Sequence, residues 1–157
     1  MIYSHFGGKP GIVAALYDDD VGRLAQDLAN AAGKGGTPEE RLQRVSQAYR
    51  AFATAAPHLY ELMYGPMVRE LLPTREHRDA ARRSQEVVTS LFREGQEDGV
   101  FQRADPADQA RTFWAVLHGT VSLELTTWFD QREGAERLDR IVILLLAAAK
   151  ADPMSGG

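Results

Sequence analysis

The chain has 157 residues, of which 44% are hydrophobic and 25% are charged. That length allows one well-cored domain, and that composition excludes a disordered chain. The net charge of −4 excludes a bulk electrostatic attraction to nucleic acid, and the lack of cysteine excludes disulfides and thiolate metal sites, which is compatible with a cytoplasmic protein.

Helical periodicity runs along almost the whole chain, and no segment shows the alternation of a β-strand, so we expect an all-α fold of about seven helices. Residues 3–6 have the character of a last helical turn, which Gly7 and Gly8 end. Pro10 then suits the first turn of a second helix, whose apolar stripe continues to about Ala32. The first helix therefore has an end but almost no beginning in this sequence.

Three further helices follow in the middle of the chain. Thr37 is a good N-cap, with Glu40 three residues later as a capping box requires. Pro57 ends that helix, and the short apolar stretch 58–65 predicts another. Residues 78–99 have the pattern of an amphipathic helix that a glycine terminates.

The last two helices are apolar on more than one face. Asp105 caps the first of them, and the second runs from Ala135 to Ala151 and contains the apolar stretch 141–149. This stretch is shorter than the ~20 residues of a membrane span, so we expect no membrane partner. A chain of this size has too little other structure to bury the apolar surfaces of two such helices, and we therefore expect a homodimer with a four-helix interface. The predicted interface residues are Leu125, Trp128, Leu138, Ile141, Val142, Leu145 and Ala149.

Two segments resemble the tetracycline-repressor (TetR) type of transcriptional regulator. The first, IYSHFGGKPGIVAALY at 2–17, is similar to the junction between the recognition helix of a helix-turn-helix and the long connecting helix. The second, FWAVLHGTVSLEL at 113–125, is similar to the tryptophan, histidine and glycine signature of one group of TetR-like ligand-binding domains. The resemblance covers essentially the whole chain.

The resemblance implies a division of the chain into four parts. Residues 1–8 would be the end of the DNA recognition helix, 9–32 the connecting helix, 33–152 the effector-binding and dimerisation domain, and 153–157 a flexible tail. The first two helices and most of the recognition helix would be missing. A truncated chain, a start placed at an internal methionine and a natural sensor without a DNA reader all fit the sequence.

In the complete protein, the resemblance places three residues near operator DNA. Tyr3 and His5 would lie at the backbone-facing end of the recognition helix. Lys9, beside a helix N-terminus, would reach a phosphate with help from the helix dipole. For Phe6, core packing is the better interpretation.

Aromatic, methionine and histidine side chains are dense in the middle layer of the predicted bundle, which indicates a cavity for a small apolar or aromatic effector. Taken singly, each of these residues is better interpreted as ordinary core. His118 could orient a ligand, but a buried histidine with its own partners is the better interpretation. The candidate pocket residues are Leu59, Tyr60, Met63, Tyr64, Met67, Phe92, Phe113, Trp114, Leu117, His118 and Val121.

Catalytic motifs such as HExxH and G-x-S-x-G are absent from the sequence, and we expect neither an enzyme nor a bound cofactor or metal. The acidic run Asp18-Asp19-Asp20 fans around a helix, so its carboxylates cannot converge on one ion. We interpret this run as a solvated face.

These observations predict the effector-binding and dimerisation region of a TetR-like regulator, by default a repressor that its ligand releases from DNA. The ligand would favour one tilt of the connecting helix and so change the spacing of the two DNA readers in the dimer. The alternative is a helical sensing or interaction module that does not itself bind DNA.

Overall fold

The computed structural model describes residues 8–65, 75–126, 128 and 130–151. Its α-helices are α1 (Gly8–Gly33), α2 (Pro38–Ala55), α3 (Pro57–Tyr64), α4 (Arg75–Glu97), α5 (Pro106–Leu125) and α6 (Gly134–Ala149), with a 3-10 turn at Gln131–Glu133. Within these described ranges there is no β-strand, although an isolated β-bridge joins Phe101 and Lys150. The predicted all-α fold is confirmed, with six α-helices in the described part of the chain.

The helix starts follow from local capping chemistry. The Thr37 hydroxyl accepts a hydrogen bond from the Glu40 backbone N–H at 3.2 Å, and the Glu40 carboxylate accepts one from the Thr37 N–H at 2.9 Å. This is the predicted capping box, and Pro38 occupies the first helical turn after it. Asp105 caps α5 in the same way, accepting from the Ala107 N–H at 3.0 Å.

The end of α4 depends on two glycines. Gly99 has a φ of +73°, a left-handed conformation that favours glycine, and it turns the chain out of the helix. The ring of Phe101 then folds back onto Gly95, where a Cβ would overlap the ring. The backbone N–H groups of Val100 and Phe101 both donate to the Gly95 carbonyl, at 2.8 and 3.0 Å. Gly95 is therefore required for this close approach.

The helices enclose one hydrophobic core. α1 packs against α2 and α4, α5 packs against α4, and α6 packs against α2 and α5. The fully buried aromatic side chains Tyr49, Phe92 and Phe113 lie in this core together with buried leucines from α1, α2, α4 and α5. The short helix α3 contacts both α1 and α2, so the first five helices surround a common centre.

A buried ion pair joins three helices. Glu124 of α5 is only 1% exposed, and its carboxylate accepts hydrogen bonds from Nε and Nη2 of Arg50 on α2 at 3.0 and 2.5 Å. Gly134 at the start of α6 lies against the same carboxylate, and a Cβ there would overlap Glu124 Oε1. This cluster fixes the last two helices to α2.

The predicted dimer interface on α6 needs a correction. Leu138 and Val142 are 0% exposed within the single chain, because this face of the helix packs on α2 and α5. These two residues therefore cannot contact a second copy. The remaining predicted residues of α5 and α6 (Leu125, Ile141, Leu145 and Ala149) are half-buried, and Trp128 is 78% exposed.

The apolar surface of the last two helices lies on a different face. Ile143 is 51% exposed and Leu144 is 70% exposed on α6, while Leu123 on α5 is 42% exposed. The sequence prediction included none of these three in the interface. The segment from Ile141 to Ala149 is apolar on every side, so its pattern alone did not indicate which side turns inward.

Candidate functional site

A cavity of about 130 Å³ lies where the first five helices meet. It reaches the surface beside Gln85, which is exposed, and Tyr64, which is 44% exposed. Its walls are formed by Tyr17, Val21 and Leu24 of α1, Tyr49 of α2, Met63 and Tyr64 of α3, Ala81, Ser84 and Gln85 of α4, and Trp114 and His118 of α5.

A hydrogen-bonded network of hydroxyl and imidazole groups lies along one wall, and Tyr49 and His118 are its members that line the cavity. The Tyr60 hydroxyl lies 2.6 Å from His118 Nδ1 and 3.0 Å from the Tyr49 hydroxyl, which is itself 3.3 Å from His118 Nδ1. Ser122 Oγ lies 3.3 Å from the Tyr60 hydroxyl. Burial lowers the pKa of His118, so its ring is neutral at pH 7 and shares a hydrogen bond with the Tyr60 hydroxyl through Nδ1. Burial also raises the pKa of Tyr49 and of Tyr60, which keeps both phenols protonated.

Ring contacts hold the same wall in place. The Tyr64 and His118 ring centroids are 4.4 Å apart, and Tyr60 stacks on His118 at 5.6 Å. Trp114 packs edge-on against Tyr49 at 5.2 Å. Tyr64 and His118 also line an adjoining surface groove between α3 and α5, so these two rings separate the cavity from that groove.

Two residues that line the cavity each carry a buried polar atom without a hydrogen-bond partner. The two atoms are Oγ of Ser84 and Nε1 of Trp114. Ser84 is 6% exposed and projects from α4, whereas Trp114 projects from α5. A buried donor without a partner is unfavourable by roughly 1–3 kcal/mol, so this wall can gain from a hydrogen-bonding group inside the cavity.

Charge is scarce around the cavity. None of its described lining residues is Lys, Arg, Asp or Glu.

The prediction of a solvated acidic run is wrong for Asp20, which is 4% exposed and whose Oδ2 has no hydrogen-bond partner. Burial raises the pKa of Asp20, although the nearby Arg23 lowers it. The signal was present in the sequence, because position 20 shares a helix face with Tyr17 and Leu24.

The structure brings together only part of the predicted pocket. Met63, Tyr64, Trp114 and His118 line the cavity, and Tyr60 lies behind it in the hydrogen-bonded network. The residues that pack in the core without lining the cavity are Phe92, Phe113, Leu117 and Val121, and Leu59 is half-buried without lining it. Met67 lies outside the described residues, as do Tyr3 and His5, and the side chain of Lys9 is not described either.

Sequence reasoning missed the contribution of α1 to the cavity. It assigned α1 to the connection with the DNA reader, yet Tyr17, Val21 and Leu24 form one wall. It also missed Tyr49, whose position in the centre of the bundle depends on how α2 packs. In the described part of the chain, no His, Asp and Glu side chains cluster as a metal ion would require, and no helix is long and apolar enough to span a membrane.

An all-α bundle with an aromatic cavity between its helices is an arrangement that binds small molecules. A family model described as "Tetracyclin repressor-like, C-terminal domain" matches residues 42–149, well over half of the chain. The chain therefore belongs to the TetR-like family and contains the C-terminal domain of a TetR-type transcriptional regulator. Members of this family are DNA-binding regulators and not enzymes.

Solved structures share the fold. One is a protein of unknown function from Rhodococcus sp. RHA1, with a TM-score of 0.84 and 21% identity over 94% of this chain and 77% of that one. Another is the TetR family transcriptional regulator PfmR from Thermus thermophilus, with a TM-score of 0.78 and 22% identity over 96% and 79% of the two chains. A third is a bacterial regulatory protein in the tetR family from Rhodococcus RHA1, with a TM-score of 0.80 and 18% identity over 96% and 80%. A search of curated proteins finds no match.

Proposed function

We propose that the cavity binds a small, largely apolar effector and that this chain is the effector-binding and dimerisation region of a transcriptional repressor. The observation that carries the proposal is the shared wall, because α1 supplies Tyr17, Val21 and Leu24 to a cavity whose other walls come from α2 to α5. In a TetR-type regulator, α1 connects this domain to the DNA reader. A ligand in the cavity therefore contacts the connecting helix directly.

The mechanism follows from differential binding to two states. A ligand shifts an equilibrium only when its affinity differs between the two states. An effector wedged between α1 and Trp114 favours the tilt of α1 that leaves room for it. In the dimer this tilt changes the spacing between the two DNA readers, and the operator is released.

The dimer is proposed from the exposed apolar face of the last two helices. Leu123, Ile143 and Leu144 lie on neighbouring helices and each exposes over two fifths of its surface, and the Trp128 side chain follows α5. A patch of this kind on a single chain marks an interface. A two-fold axis through this face would pair α5 and α6 of each protomer in a four-helix interface of roughly 1,600 Å² or more.

The DNA contacts remain those that the resemblance implies. Lys9 belongs to the first turn of α1, where the helix dipole favours a phosphate. Tyr3 and His5 precede it in the chain. We propose that these three residues contact the DNA backbone in the complete regulator, so that Lys9→Ala weakens binding to all sequences alike.

A ligand screen by thermal shift tests the proposal, since ligand binding to the folded state raises its apparent stability. Tyr64→Ala should abolish the shift that a hit produces, because Tyr64 lines the cavity. Leu59→Ala is the matched control, since Leu59 lies on the same helix without lining the cavity. A hit whose shift survives Tyr64→Ala, or a broad library without any hit, would refute the effector site.

A further inference from the structure

We propose that the cavity selects an uncharged molecule with one six-membered ring and a short substituent carrying a hydrogen-bond acceptor, such as a ketone or ester carbonyl. The acceptor lies between Ser84 and Trp114 and takes hydrogen bonds from both. This inference rests on the proposed function, because it names the chemical class of the effector that the same cavity binds.

The two unpartnered donors specify the acceptor. Oγ of Ser84 and Nε1 of Trp114 are both buried and both without a partner, and the two residues line the same cavity. A hydroxyl can donate or accept, but an indole N–H can only donate. A ligand group that meets both atoms must therefore accept from the indole N–H, and a carbonyl oxygen, with its two lone pairs, can accept from the indole and the hydroxyl together.

The volume and the walls specify the ring. A cavity of about 130 Å³ is close in size to the ~150 Å³ cavity known to bind benzene. Tyr17, Tyr49, Tyr64 and Trp114 supply aromatic faces and edges around it, which favour a planar ring in offset or edge-on contact. The opening beside Gln85 leaves room for the end of a short substituent.

The electrostatics specify the charge. The described lining residues include no carboxylate, ammonium or guanidinium group that could pair with an ion. His118 is the one ionisable base among them, and its Nδ1 is already hydrogen-bonded to the Tyr60 hydroxyl. The buried carboxylate of Asp20 lies on α1 but does not line the cavity. A ligand ion would lose its hydration without gaining a counter-ion, so charged molecules are rejected.

Four probe molecules of nearly equal shape separate the effect of the hydrogen-bond acceptor from the effect of charge. Acetophenone carries the carbonyl, α-methylstyrene replaces its oxygen by a methylene, benzoate carries a negative charge, and 1-phenylethylammonium carries a positive charge. Ligand-observed NMR titration at pH 7 measures their affinities for the whole chain. We expect acetophenone to bind at least about fivefold more tightly than α-methylstyrene, the factor that one net hydrogen bond provides. We expect both ions to bind more weakly than either neutral probe.

Variants assign the preference to its donors. Ser84→Ala removes one donor with little change of volume and should reduce the preference for acetophenone over α-methylstyrene towards one. Ser90→Ala is the matched control, because Ser90 lies on the same helix but is exposed and bonded to Glu86. Trp114→Phe removes the other donor and should act in the same direction as Ser84→Ala.

Three results would overturn the inference. Equal affinities for acetophenone and α-methylstyrene would show that the cavity has no preference for a hydrogen-bond acceptor, although an apolar effector site could still exist. Tighter binding of either ion would contradict the neutral cavity, and binding of none of the four probes would overturn the ligand class altogether. The proposed function is tested separately by the library screen with Tyr64→Ala and Leu59→Ala, so a failure of the ligand class can be distinguished from a failure of the effector site.

Discussion

Replacing Arg50 by alanine should strongly destabilise the protein. The Glu124 carboxylate is almost completely buried, and two nitrogens of Arg50 hold it in a bidentate contact at 3.0 and 2.5 Å. Without Arg50 the charge stays buried beside Gly134 and loses the guanidinium that pairs with it. Breaking a buried pair in this way costs about 3–5 kcal/mol, whereas replacing both members by apolar residues is often neutral. We therefore expect Arg50→Ala to lose about 3–5 kcal/mol and Arg50→Met with Glu124→Leu to remain within about 1 kcal/mol of wild type.

Urea unfolding followed by circular dichroism measures these differences in the free energy of unfolding. Thermal unfolding should show a fall in melting temperature of roughly 6–20 °C for Arg50→Ala. Arg93→Ala is the matched control, because Arg93 forms only an exposed ion pair with Glu86 at 3.6 Å and its loss should change stability by less than about 1 kcal/mol. If Arg50→Ala behaved like Arg93→Ala, the carboxylate of Glu124 would be hydrated and the buried cluster would not exist as described.

Three further changes have clear expected outcomes. Gly134→Ala should destabilise by about 1–3 kcal/mol because its Cβ would overlap the Glu124 carboxylate, whereas Gly22→Ala, with open space around it, should stabilise by up to about 1 kcal/mol; equal urea midpoints would contradict the contact. Burial raises the pKa of Asp20 above the ordinary value of 3.8. The free energy of unfolding therefore falls as the pH rises through the range between that value and the pKa of the folded state. Asp20→Asn should therefore stabilise the fold more at pH 7 than near pH 3.5, and a gain that does not depend on pH would exclude the titration of this carboxyl. Leu144→Glu should give folded monomer in analytical ultracentrifugation, and an intact dimer would place the interface elsewhere.

Features that depend on short-range chemistry could be predicted from the sequence. The capping box of Thr37 and Glu40 and the cap at Asp105 involve atoms within three residues of one another, so their spacing alone identifies them. Pro57 likewise separates α2 from α3 through its own backbone geometry. These local signals were sufficient for the helices and for the all-α class.

Features that depend on which helices meet could not be predicted as reliably. The face of α6 that contains Leu138 points into the chain and the face with Leu144 points outward, although the segment from Ile141 to Ala149 is apolar on both faces. Phe113 and Trp114 are neighbours in the sequence, but only Trp114 lines the cavity, since a rotation of about 100° separates their side chains on the helix. The cavity wall from α1 depends on the packing of α1 against α4, which periodicity does not reveal.

Movement of α1 on ligand binding is the central claim, and a distance between labels tests it most directly. The chain contains no cysteine, so Ala15→Cys on the exposed side of α1 introduces a single site for a spin label in each protomer of the dimer. Ser90→Cys on α4 provides the reference position, because the proposed movement does not involve that helix. Pulsed electron paramagnetic resonance then gives the distance between the two labels with and without a saturating ligand from the thermal-shift screen. We predict that the ligand moves the maximum of the Ala15→Cys distribution and leaves that of Ser90→Cys unchanged, whereas identical Ala15→Cys distributions in the two conditions would contradict the account.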